Sequence, residues 1–125
     1  MVLLILLAIT TTAAGADWQV VADDKEFTAY YDPSTTHQIG HKVSMWTLND
    51  YKQAQRIEGE SIRSIKSQHE FDCIAKKRRL LFGAIHTKSM GKGIPYYAGL
   101  NPTEWELVAP ESSEAYLLKF ACAKK

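Results

Sequence analysis

Apolar and polar positions alternate along most of the chain beyond residue 17, the pattern of half-buried strands. Trp18-Gln19-Val20-Val21-Ala22 predicts a first strand and residues 26–31 a second, with the polar turn Asp23-Asp24-Lys25 between them. Asp32-Pro33-Ser34 is expected to end the second strand, because proline cannot extend a central strand and aspartate readily starts a turn. Residues 41–48 predict a third strand, with Val43 and Met45 facing one way and Trp46 and Leu48 the other. Apolar side chains on both faces place it centrally, covered on each side.

Residues 49–59 are polar and read as a turn region. Residues 61–75 form a long fourth segment, with Ile65, His69, Phe71 and Cys73 sharing one face. Lys76-Lys77-Arg78-Arg79 separates it from a fifth strand at 80–88, giving a hairpin with a basic tip. Met90-Gly91-Lys92-Gly93 is the next break, residues 94–98 predict a short sixth strand, Asn101-Pro102 a turn, and residues 105–108 a brief pairing. The period then changes. Tyr116 and Phe120, Leu117 and Ala121, and Leu118 and Cys122 are each four apart, which is helical spacing. Pro110 and Ser112 are start signals, Glu111 and Glu114 suit the first turn, and Lys119, Lys124 and Lys125 suit the other end. The expected fold is α+β, mostly β: an antiparallel meander of about five to six strands with a short C-terminal helix.

The first sixteen residues follow neither pattern. An unbroken apolar run from Val2 to Ile9 leads through three threonines to Ala13-Ala14-Gly15-Ala16. An apolar stretch ending in small residues is the signature of a secretory signal peptide, and it falls short of the roughly 20 apolar residues of a membrane-spanning helix. The expected division is a signal peptide at 1–16, cleaved after Ala16, and one exported domain at 17–125, in the periplasm or at the cell surface. No Lys or Arg precedes the apolar run. Nor does a Cys stand directly after it to become an acylated N-terminal residue, so no lipid anchor is expected.

Composition changes this picture little. Of 125 residues, 46% are hydrophobic and 23% charged, an ordinary globular mixture, and a net charge of +1 argues against nucleic acid as a partner. Cysteine adds more. Cys73 and Cys122 are the only two, and an even count in an exported domain reads as a disulfide rather than a metal site or a catalytic thiol. It would close a loop of 122 − 73 = 49 residues, worth about 4 kcal/mol by chain entropy.

Little points to chemistry. His37 and His41 are four apart, but Gly40 and the strand pattern argue against a helix that would align them, and no third ligand stands at a standard spacing. Met90-Gly91-Lys92-Gly93 lacks the strand-to-helix setting and the downstream hydroxyl of a phosphate loop. No nucleophile, base and oxyanion site assemble, so neither catalysis nor a cofactor is expected. The basic residues Lys76, Lys77, Arg78 and Arg79 are the densest charge, suited to an anionic partner or simply to protecting a strand edge. Tyr96 and Tyr97 are the aromatic pair expected to be exposed. The two groups together are the candidate partner-binding surface.

Taken in order, Tyr30-Tyr31-Asp32-Pro33-Ser34-Thr35, the run from Val43 to Tyr51, Ser64-Ile65-Lys66, Asp72-Cys73, Arg79-Leu80-Leu81, Met90-Gly91-Lys92-Gly93, Trp105 and Cys122 resemble the surface-adhesin protein E family of Gram-negative bacteria. The resemblance implies an exported domain of antiparallel strands with a C-terminal helix. It also implies an adhesin role at the cell surface, often through a homodimer, with a protein or glycan as partner. A periplasmic assembly factor or inhibitor without surface exposure is the alternative, and a small hydrolytic enzyme a third.

Overall fold

The computed structural model of the protein describes residues 16–100 and 102–123. The expected signal peptide up to residue 15, Asn101 of the expected turn, and Lys124 and Lys125 lie outside the described residues. The alternating segments form one antiparallel sheet. Its strands are β1 (Gln19–Asp23), β2 (Phe27–Ile39), β3 (Lys42–Ile57), β4 (Glu60–Asp72), β5 (Lys77–His86), β6 (Tyr97–Leu100) and β7 (Glu106–Leu107), followed by the helix α1 (Ser113–Ala121). The sheet runs β1-β2-β3-β4-β5-β6 in chain order, and β7 also pairs with β5. This is the expected meander, with the brief pairing near Trp105 supplying a seventh strand.

The sixth strand lies at Tyr97–Leu100 rather than 94–98, and two expected turns are instead strand, for one shared reason. Asp32-Pro33-Ser34 does not end β2. Pairing with β3 stops at Asp32–Trp46 and resumes at His37–Ser44, so the proline sits in a bulge. Side chains hold the bulge closed. Asp32 Oδ1 accepts from the Ser34 amide, and the Thr35 hydroxyl accepts from the Trp46 amide that the ladder leaves free. Likewise, residues 49–59 are not a turn region. β3 runs through them with a second bulge between Asp50 and Gln55, and only Glu58 and Gly59, both at positive φ, make the reversal. The segment is polar because it projects into solvent, not because it turns.

The core lies between one sheet face and α1. Val43, Met45 and Phe71 from β3 and β4 pack with Leu117 and Ala121 of the helix, and Tyr31 stacks on Phe120 with ring centres 4.8 Å apart. Val43, Met45 and Phe71, almost wholly buried, each contribute about 1.5–3 kcal/mol. Ser112 caps α1, its hydroxyl accepting from the Ala115 amide at 3.1 Å, and Glu114 lies in the first turn. The Cys73–Cys122 disulfide ties the end of α1 to the turn after β4.

The opposite face buries Leu48 and Ile62. A tight turn at Ser89–Gly91 packs there, and a side chain on Gly91 would meet Leu48. Asp50 holds this turn, accepting from the Ser89 hydroxyl and the Met90 amide at 2.8 Å each, and Ser64 accepts from the Gly91 amide at 2.9 Å. The third strand is thus covered on both faces, as its apolar pattern predicts.

Candidate functional site

Beyond the Ser89–Gly91 turn the chain runs along the outer edge of β5, from Tyr96 to Leu100 and from Thr103 to Val108. β6 pairs with its far half, from Phe82 to Ile85, and β7 with its first two residues. Thr103 bridges the gap, its amide donating to the Leu80 carbonyl and its hydroxyl accepting from the Leu80 amide, each at 2.9 Å. This border carries an unusual share of exposed apolar side chains. Ile94 is 91% exposed, and Tyr96, Tyr97, Leu100 and Leu107 are also exposed. Tyr96 and Tyr97 join Ile57, Glu58 and Ile85 around an open hollow of about 410 Å³. The Tyr97 ring lies back over Gly99, where even a methyl group would come within 2.6 Å of the phenol oxygen.

The basic cluster lies elsewhere and is built differently than expected. Cys73 to Lys76 make the turn, so only Lys76 stands at the tip, while Lys77, Arg78 and Arg79 already belong to β5. Arg79 reaches Glu70 at 2.7 Å and covers the Trp105 ring. Arg78 donates to His69 Nδ1 at 3.4 Å and lies 4.0 Å from Glu106. Lys77 pairs through its backbone with Leu107. Tyr97 sits opposite Ile85, eight residues along β5, or about 26 Å at the rise of a strand. The tyrosines and the basic residues therefore do not form one surface.

A third feature gave no sequence signal. Under the start of α1 lies a cavity of about 230 Å³, lined by Thr47, Asn49, Ser67, His69, Arg78 and Glu114 among apolar neighbours. Burial, and after it the Arg78 charge, push the His69 pKa down to about 4, with Glu114 pulling weakly the other way. The ring is neutral at physiological pH, consistent with Nδ1 accepting from Arg78. The alternation predicts His69 on a core face, but nothing in the local sequence pairs it with Arg78 or Glu114. At the neighbouring corner, the amides of Ala75 and then Ile74 hold Asp72 below the usual carboxylate range, and His41 lies 3.5 Å from it. His37 and His41 flank the Gly40 reversal, and no cluster of three His, Cys, Asp or Glu residues is placed to hold a metal among the described residues. Nor, among those residues, is any helix long and apolar enough to cross a membrane.

The motifs singled out in the sequence meet as supports of this scaffold: Asp32, Ser34 and Thr35 close one bulge, and Asp50 pins the Met90-Gly91 turn. The family described as surface-adhesin protein E matches residues 18–123. No curated protein matches the chain. Among solved structures, crystal form II of Haemophilus influenzae protein E is similar, with a TM-score of 0.62 at 10% identity over 82% of this chain and 91% of that one. Protein E from non-typeable Haemophilus influenzae gives 0.60 at 11% identity over 88% and 79%. At such identity the likeness is one of fold. The match over nearly the whole described domain is one of family: the chain belongs to the surface-adhesin protein E family.

Proposed function

We propose that this is an exported envelope protein acting as a non-catalytic binding or adhesion module for a host or envelope macromolecule, a protein or a glycan. The observation that carries this reading is the border of β5, where Ile94, Tyr96, Tyr97, Leu100 and Leu107 stand exposed along a sheet edge. Exposed apolar side chains beside unpaired strand backbone suit strand pairing and aromatic anchoring, and membership of an adhesin family supports that use. Tyr96 and Tyr97 are the anchor. Lys76 and Lys77, at the far end of the border, add positive charge that speeds encounter with an anionic partner. Arg78 and Arg79 are committed to contacts within the domain. The test is protease treatment of intact cells, together with binding of the purified protein to immobilised host-matrix and envelope preparations. A protein shielded from protease and inert toward every preparation contradicts the reading.

A further inference from the structure

Asp32 is 2% exposed, yet no cation lies within ion-pair distance of it among the described residues. A buried carboxylate served only by neutral donors is costly, and folded proteins rarely retain one. Its Oδ1 is occupied by the bulge, accepting from the Ser34 amide and hydroxyl. Its Oδ2 accepts from the backbone nitrogen of Asp17 at 3.1 Å. That nitrogen follows Ala16, and Ala14 and Ala16 form the A-x-A pattern that leader peptidases cut.

We propose that Asp32 is the receptor for the amino terminus created by processing: water, delivered by a leader peptidase, hydrolyses the Ala16–Asp17 peptide bond, and the new Asp17 ammonium pairs with the Asp32 carboxylate. Hydrolysis leaves the Ala16 carboxylate on the departing leader, and the Asp17 amine takes up a proton. The neutral amide donor becomes a charged one in place, and a charge-assisted hydrogen bond is roughly twice as strong as a neutral one. Asp32 is buried while Asp17 is exposed beside an open hollow lined by Trp18, Trp46 and Lys66, so water screens the pair from one side only. The other charges facing it are the Asp17 side chain itself and Lys66 of β4; Ser34 and Thr35 of β2 and Trp46 of β3 are neutral. Cleavage thereby fastens β1 and its edge of the sheet through the same residue that closes the β2 bulge. The inference is independent of what the domain binds.

The sign of the pH dependence follows. An amine held by a carboxylate has its pKa raised, so its contribution is complete below the ordinary α-amino range of about 7.7–8.0 and is lost as pH rises through the folded value. The full chain is expressed with export, and the processed protein is purified as wild type and as Asp32→Asn, each with and without selective acetylation of the α-amine. Intact mass should place the first residue at Asp17; a first residue other than Asp17 overturns the proposal. At pH 6.5 acetylation should lower the wild-type melting temperature by about 4–8 °C. The gap should close toward pH 10 and be absent in Asp32→Asn. An equal effect of acetylation in both backgrounds overturns the proposal. If Asp32→Asn does not fold, titration of the wild-type α-amine by NMR decides, with a value inside the ordinary range counting against it.

Discussion

The Arg79 guanidinium lies 4.7 Å from the centre of the Trp105 ring, while its Nη2 is 2.7 Å from Glu70. Lys42 approaches the same ring at 5.6 Å, so two cations contact the indole. The densest charge in the sequence thus clamps the segment that carries β7 onto β5. Arg79 is 30% exposed and Glu70 19%, so solvent discounts the ion pair. Together with the cation–π contact, Arg79→Ala should cost about 1–2 kcal/mol in urea denaturation. Arg79→Lys should restore less than half of it, because lysine cannot both stack and fork. A variant as stable as wild type removes the clamp from this account.

The disulfide should matter more. Replacing Cys73 and Cys122 together by serine should lower stability by about 4 kcal/mol and loosen α1 from Val43, Met45 and Phe71. Denaturant titration and near-UV circular dichroism report the two effects separately. A loss below 1 kcal/mol contradicts the role given to this bond.

His69 sets an acid limit on stability. The unfolded ring takes up a proton near pH 6.5 and the folded ring only near 4. Its contribution is therefore complete above pH 6.5 and lost as pH falls toward 4, at up to about 1.4 kcal/mol per pH unit and about 3 kcal/mol in all. His69→Gln should flatten the denaturation midpoint across that window. A wild-type profile already flat between pH 6.5 and 4.5 contradicts a buried neutral His69.

Asp50 should prove a structural residue. Asp50→Ala removes its bonds to Ser89 and Met90 and should cost about 2 kcal/mol. Hydrogen exchange at the Met90 amide should quicken. Unchanged exchange there contradicts the lock.

The meander, the terminal helix and the disulfide were legible in the sequence because each leaves a local mark: two-residue alternation, four-residue spacing, a pair of cysteines. The bulges at 33–36 and 51–54 were not. Pro33 and the polar run beyond Asn49 carry the marks of turns, and only side-chain bonds made at a distance, such as Thr35 to Trp46, show that the strands continue. The Glu58-Gly59 reversal lacks the Asn-Gly or Asp-Gly signature that would have revealed it. For the candidate site, the exposure of Tyr96 and Tyr97 could be read from their neighbours in sequence. The distance between them and the basic cluster could not, because it depends on which half of β5 each partner strand takes.

The central claim is that the Tyr97 end of the β5 border anchors a macromolecular partner. It is tested most directly by dissociation kinetics over immobilised host-matrix and envelope proteins, comparing wild type with Tyr97→Ala and with Gly99→Ala, which displaces the Tyr97 ring and keeps its phenol. Both variants should leave about tenfold faster, or about 1.4 kcal/mol weaker, with unchanged denaturation midpoints. Wild-type dissociation in both variants, from a surface that does retain the protein, contradicts the claim.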